Sequence, residues 1–373
     1  MIITEKDIES IDQKYWDDHQ VDGITFNRRI NPQTGAQTFD TGADNALFTG
    51  FYLAAASFRY GATKDKADLH KIKDTIDAIY FLTHITGTPG VLVRLAFPLD
   101  GAKERIGYDR KNQDPRNTWT KRRLEGSLYE TDTHFYYTKT TRDQLTGVVY
   151  GLAVAWKILN EIPKTKIVDE CMVSIQTITR DLVMRLKNTN WSLEDHTGHV
   201  GKTNAHKPKH QLISALLHLN HVVNGKSMPT FRLKMFYKFL WLHTCYYIFT
   251  RRMYAWNLRT AIAYSLWVNQ TDSQLQTGAV KWIKHISQFT KNEDNAFFVF
   301  TECAMRGVHQ DRIAGASRQL EKLFTSGHNS FFAWQKSKGE AKPAGENDRY
   351  GPGIDILLPY WARAYQLRGR GRR

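Results

Sequence analysis

Cysteine is scarce in this chain. There are three in 373 residues, Cys171, Cys245 and Cys303, and none lies near another in sequence. That excludes a disulfide scaffold and a C-x-x-C redox or zinc module. The three read as reduced core thiols, a usage that fits the cytoplasm or a particle assembled there. The N-terminus, M-I-I-T-E-K-D-I, has no basic region followed by an apolar run, so it does not read as a signal peptide. Long charge-free apolar runs are also missing. The most apolar stretch, Phe231 to Thr250, carries Arg232, Lys234, Lys238 and His243, and reads as a buried helix rather than a membrane span. No G-x-x-x-x-G-K-[ST] loop, strand-anchored G-x-G-x-x-G or G-x-S-x-G occurs, which argues against nucleotide-dependent chemistry and serine hydrolysis. No cofactor is expected. Strand-type alternation is absent as well.

Acidic residues are outnumbered, 37 Asp+Glu against 52 Lys+Arg, for a formal net charge of +15. Such an excess points to polyanionic partners: nucleic acid, an acidic polysaccharide or an anionic surface. Aromatic residues make up 12% of the chain, a surplus suited to stacking on sugars or bases as well as to the core.

The chain is organised around Asp40 to Tyr60, D-T-G-A-D-N-A-L-F-T-G-F-Y-L-A-A-A-S-F-R-Y. A polar turn bearing a carboxylate leads into a dense apolar helix. A related unit returns at Thr140 to Trp156, T-T-R-D-Q-L-T-G-V-V-Y-G-L-A-V-A-W. In each, an acid and an amide (Asp44-Asn45, Asp143-Gln144) precede Thr-Gly and a helix of small residues. Self-similarity at long spacing suggests a repeat architecture. Gly and Ala on these helices would let neighbouring backbones approach closely. The acids are helix caps, for which Asp is well suited, or site carboxylates.

Helical spacing predicts twelve helices: Thr4–His19, Asn45–Gly61, Lys66–Thr86, Arg142–Asn160, Lys164–Lys187, His206–Val223, Thr230–Thr250, Trp256–Val268, Gln274–Phe289, Asp294–Arg306, Asp311–Thr325 and Asp355–Leu367. Twelve helices make six hairpins. The expected fold is all-α, an (α/α)6 toroid in one domain, 1–367, closed by its first and last helices and followed by a basic Arg/Gly tail, 368–373. The long polar loops, Gly23–Asn45, Pro89–Thr140, Trp191–Asn204 and Gly327–Gly353, precede alternate helices and should gather at one mouth. The segment Pro89 to Thr140 is rich in Trp, Tyr, His, Arg and Asp, and is read as ordered and lining a site.

The motifs D-N-A-L-F-T-G-F-Y-L-A-A-x-S-F-R-Y, T-G-T-P-G-V-L-V-R, T-R-D-Q-x-T-G-x-x-Y-G-L-A, E-D-H-T-G-H and L-L-P-Y-W-A-R resemble the six-hairpin glycosidase-like superfamily in layout, from about Asp40 to Tyr365. That group includes glycoside hydrolases and polysaccharide lyases, so the resemblance implies a polysaccharide or oligosaccharide substrate. A hydrolase needs paired carboxylates. The candidates are Asp44, Asp132, Asp143 and Asp195, with Asp44 and Asp143 expected to face each other across the cavity from non-adjacent inner helices. A lyase needs a Tyr or His base and a cation beside a uronate, for which Tyr136 or His134 with Arg94 or Arg142 would serve. Asn45, Trp119, Gln144 and His196 complete the candidate binding residues.

Six of the 14 histidines lie between His196 and His221. The pairs His206/His210 and His218/His221 share helix faces, but Pro208 interrupts the first and no H-E-x-x-H is present, so no metal site is expected. The rival class is non-enzymatic: a glycan-binding or structural component of a larger assembly, with R-G-R-G-R-R as an electrostatic contact for an anionic partner. An enzyme should collect acids and aromatics around an accessible cavity. A scaffold should fill its centre with apolar side chains.

Overall fold

The computed structural model describes residues 3–30, 33–40, 44–106, 128–138, 140–200, 207–208, 210–225, 253–270, 273–291, 295–307, 310–325 and 349–370. Helices dominate these residues. In chain order they are α1 (Glu5–Asp18), α2 (Asn45–Thr63), α3 (Lys66–His84), α4 (Ala102–Ile106), α5 (Arg142–Asn160), α6 (Lys166–Asn188), α7 (His210–Asn224), α8 (Met253–Val268), α9 (Ser273–Thr290), α10 (Ala296–Arg306), α11 (Gln310–Thr325) and α12 (Ile354–Arg370). The helix expected over Thr230–Thr250 lies outside the described residues. The last helix runs on to Arg370, into the basic tail.

Two helices are buried on all sides. From Asn45 to Ala62 every residue of α2 except Tyr60 is buried, and α5 is buried from Gln144 to Trp156. A helix apolar all round belongs in the centre of a domain. By contrast α6 buries Val168, Cys171, Ile175, Ile178 and Leu182, a stripe at spacings of three and four, and leaves Val173 and Met184 in solvent. It is an outer helix. Packing follows this division: α2 lies on α5, α5 on α7, α7 on α8, α8 on α10, α10 on α12, and α12 returns to α2, while α8 also packs directly on α5. The amphipathic α3, α6, α9 and α11 lie against that group, and α1 packs on α12.

α2 and α5 meet backbone to backbone. A Cβ on Gly147 would fall 2.2 Å from the Leu47 carbonyl oxygen, and one on Gly151 would fall 2.2 Å from that of Gly50. The two Thr-Gly units therefore pack on each other. Asp44 and Asp143 accordingly sit at the starts of two touching helices rather than on opposite sides of a cavity, because glycine at the crossing removes the side chains that would hold the helices apart.

Aromatic rings from five helices fill the space between them. Phe51 (α2) meets Tyr150 (α5) at 5.4 Å and Phe297 (α10) at 6.2 Å between ring centroids. Tyr150 meets Tyr264 (α8) at 5.8 Å, and Phe58 (α2) meets Tyr365 (α12) at 5.7 Å. Tilted and edge-on contacts of this kind add to the area they bury.

The expectation of no strands is corrected. Among the described residues there are eight short strands in three antiparallel sheets. β1 (Gln20–Val21) pairs with β2 (Ile24–Thr25). β3 (Asn27–Ile30) lies between β4 (Gln37–Asp40) and β8 (Arg349–Tyr350). β7 (His134–Tyr137) lies between β5 (Leu95–Pro98) and β6 (Leu128–Glu130). Strands of two to four residues are too short for an alternating pattern to emerge. These sheets stitch the long loops together: β3 joins the first loop to the last, and β5, β6 and β7 pair within the described parts of the segment between Pro89 and Thr140.

Candidate functional site

Asp44 stands at the N-cap position of α2, yet its side chain makes no capping bond. Its Oδ1 instead accepts from Arg94 Nη1 at 2.8 Å and from Gln144 Nε2 at 2.6 Å. Arg94 precedes β5 and is fixed by its own backbone, with its N–H on the Tyr137 carbonyl at 2.8 Å and its carbonyl accepting from Ala46 N at 3.0 Å. Gln144 reaches back to the start of α5, where its Oε1 accepts from Thr141 N at 2.8 Å. The carboxylate thus joins a loop and two helix starts. It keeps 28% of its side-chain surface in solvent.

Asp143 lies in the first turn of α5, where the helix dipole favours a negative charge. Arg142 Nε is 3.7 Å from its Oδ1, an ion pair without hydrogen-bond geometry. Asp44 and Asp143 are not equivalent positions. The cap of α2 is Asp44 and the cap of α5 is Thr141, each five residues before its Thr-Gly, so Asp143 falls two residues deeper in its helix. Asn45 turns away from this cluster and donates to the Thr25 carbonyl at 2.8 Å. Arg259 of α8 lies over the Trp256 ring at 4.6 Å. Burial, and then the positive charge of Arg142, pushes its guanidinium down to about 10. Sequence reasoning passed over Arg259. Its signal was a lone arginine on an otherwise uncharged helix, M-Y-A-W-N-L-R-T-A-I-A-Y.

Tyr136 and Tyr129 pair across β7 and β6 and stack at 5.6 Å. Alternation along β5 and β7 puts Arg94, Tyr136 and Thr138 on one side of that sheet. The loop after α6 closes on this side: the His196 ring is 4.5 Å from Tyr129 and 6.1 Å from Tyr136, and Thr138 Oγ1 donates to Asp195 Oδ2 at 3.4 Å. Asp195 chiefly organises its own loop. Its Oδ1 accepts from Thr197 N and His199 N, both at 2.9 Å, and from Thr197 Oγ1 at 2.7 Å. Burial pushes this carboxyl up, but the bonds from Thr197 and His199 outweigh it and hold it below the usual carboxylate range. The Tyr136 phenol is pushed up, by burial first and then by Tyr129 and Asp195.

Two candidates fall elsewhere. His134 Nε2 is 3.3 Å from Asp22 Oδ2, and its ring packs on Phe81 at 4.9 Å. Asp132 is exposed in the turn before β7. Trp119 lies outside the described residues.

Among the described residues, no group of three His, Cys, Asp or Glu is placed to hold a metal ion, and no helix is long and apolar enough to cross a membrane. His206 and Cys245 lie outside the described residues, while Cys171 and Cys303 are buried free thiols. The arrangement that remains is a fixed carboxylate, a second carboxylate on the adjoining helix, three arginines and a Tyr/His wall. No family model matches this chain, and neither a curated protein nor a solved structure gives a significant match.

Proposed function

We propose that the protein is a carbohydrate-active enzyme of the six-hairpin (α/α)6 type, which takes an acidic polysaccharide at its loop end and hydrolyses it with Asp44 and Asp143. The return of the helix packing from α12 to α2 supports a ring of hairpins, with α8 packed across it onto α5. The observation that carries the functional reading is the Asp44 carboxylate. A residue that only capped a helix would bond to the first-turn amides. Asp44 is held instead by Arg94 and Gln144 from two other elements, with part of its surface open to a ligand. Placement by groups that are themselves fixed is what catalytic and binding side chains need. Arg94, Arg142 and Arg259 supply positive charge for a uronate or sulfated sugar.

Hydrolysis is preferred to elimination because the bases an elimination would use are poorly placed. The Tyr136 phenol is raised, so little phenolate forms near neutral pH, and His134 is turned to Asp22. A second reading, a non-catalytic glycan-binding component, is favoured by the aromatic rings that fill the space between the inner helices.

The test is a screen of the purified protein on acidic and neutral polysaccharides, recording reducing ends together with absorbance from unsaturated products. Reducing ends alone, lost in both Asp44→Asn and Asp143→Asn, are expected. Unsaturated products would replace hydrolysis with elimination. Binding without cleavage would favour the non-catalytic reading, and full turnover by Asp143→Asn would remove Asp143 from the site.

A further inference from the structure

A second space opens at the other ends of the inner helices. Glu161, which caps the C-terminus of α5, is about 27 Å along that helix from Asp143 at 1.5 Å per residue. Around it lies a cavity of about 740 Å³, lined by the late turns of α5, α8, α10 and α12, by Phe58 of α2 and by the start of α9. Its volume falls within the roughly 300–1,000 Å³ of small-molecule sites.

Besides the aliphatic Val154, Ile158, Val268, Val280, Ala304 and Met305, the lining has two characters. One part is aromatic: Phe58, Tyr264, Trp267 and Tyr365. Trp267 is half-buried and braced by Tyr264 at 5.4 Å, so its ring is held in place while part of it stays accessible. The other part is polar but uncharged, with Gln270, Gln276, Thr277 and Gln366. Among the described residues, the charged side chains in the lining are Lys157 and Glu161, and they neutralise each other at 2.8 Å. The second oxygen of Glu161 accepts from the Tyr365 hydroxyl at 2.9 Å.

Each feature narrows the ligand. A charged ligand would find its counter-charge already taken. A purely apolar one would strip water from the amides and from the Lys157–Glu161 pair without replacing its hydrogen bonds. A pyranose ring satisfies both sides, because its C–H face stacks on an aromatic ring while its hydroxyls exchange hydrogen bonds with amide and hydroxyl side chains. We propose that this cavity binds a neutral saccharide of one or two rings, stacked on Trp267 and hydrogen-bonded by the glutamines, at a site separate from the loop end. The proposal does not depend on the chemistry assigned to Asp44 and Asp143.

The experiment is calorimetric and saturation-transfer binding of the full chain to a panel of neutral mono- and disaccharides, at moderate and at high salt. Binding that is indifferent to salt is expected. It should weaken about tenfold in Trp267→Ala, the loss of one stacking contact. It should also weaken in Gln276→Ala, an exposed position whose substitution leaves the core alone, and persist in Asp44→Asn. Circular dichroism checks that each variant is folded. The proposal is overturned by silence across the panel, or by binding that survives Trp267→Ala and Gln276→Ala but is lost in Asp44→Asn. It is overturned equally by a preference for organic ammonium compounds that disappears with Glu161→Gln.

Discussion

Gly50 of α2 and Gly147 of α5 touch through their backbones: a Cβ on Gly50 would lie 2.1 Å from the Gly147 carbonyl oxygen. No rotamer relieves such a clash, because the atom met is main chain. Gly147→Ala should force the two central helices apart and cost about 3 kcal/mol or more, at the upper end for overpacking. Gly87 offers the contrast. It has a φ of +74° and nothing within 4 Å of its missing Cβ, so Gly87→Ala should cost only about 1 kcal/mol of backbone strain. Urea denaturation of the two variants checks the ranking.

The Asp44 finding separates capping from positioning. Serine is as good an N-cap as aspartate. If Asp44 acted as a cap, Asp44→Ser would be nearly silent and Asp44→Ala would not. Because the carboxylate serves Arg94 and Gln144, both variants should lose a similar amount, about 1–3 kcal/mol. Equilibrium unfolding of wild type, Ser and Ala side by side decides it.

What was legible in the sequence follows from range. The all-round apolar character of Ala46–Tyr60 and Leu145–Trp156 marks two central helices, and their glycines mark a close approach. That the glycines meet each other, making these helices neighbours, is a tertiary fact that composition does not carry. Asp44 and Arg94 lie fifty residues apart, and Arg94 is brought to the helix start by the β5–β7 pairing and by its carbonyl's bond from Ala46 N. The offset between Asp44 and Asp143 relative to Thr-Gly was readable by counting, and it removes the apparent equivalence of the two acids. Strands of two to four residues left no periodicity to read.

Two buried histidines set an acid limit on stability. Burial pushes His19 and His218 down to about 4. His19 has the Phe26 carbonyl 3.0 Å from Nδ1, whereas among the described residues neither ring nitrogen of His218 has a partner. Both folded values lie below the unfolded one near 6.5, so the fold favours the neutral rings. Their contribution is fully present above about pH 6.5 and is lost as pH falls toward 4, by up to about 3 kcal/mol each. His218→Leu removes an unsatisfied group as well as a titrating one. It should be neutral or stabilising at pH 7.5 and clearly stabilising at pH 5, flattening the acid limb of stability against pH.

The ion pairs made by α1 should prove far from interchangeable. Asp12 is 3% exposed and accepts from Tyr52 Oη at 2.8 Å, from Arg59 Nη1 at 2.6 Å and from Lys71 Nζ. Arg59 Nε also lies 3.0 Å from Asp68, and its guanidinium sits over Trp361 of α12 at 5.3 Å. This one carboxylate therefore ties Arg59 and Lys71 together where α1, α2, α3 and α12 converge, while Asp68 holds the other side of Arg59. Asp12→Ala should cost about 3–5 kcal/mol, because it breaks a buried pair, leaves Arg59 to Asp68 and Glu9 alone, and takes the acceptor from Lys71 and from the Tyr52 hydroxyl. The Arg28–Asp18 pair, at 3.4 Å with Asp18 38% exposed, is a solvated contact, and Asp18→Ala should cost less than about 1 kcal/mol. Chemical denaturation of both variants, repeated in high salt, gives the decisive pattern. The Asp18 effect should fade with salt and the Asp12 effect should not, since screening reaches the surface pair and not the buried one.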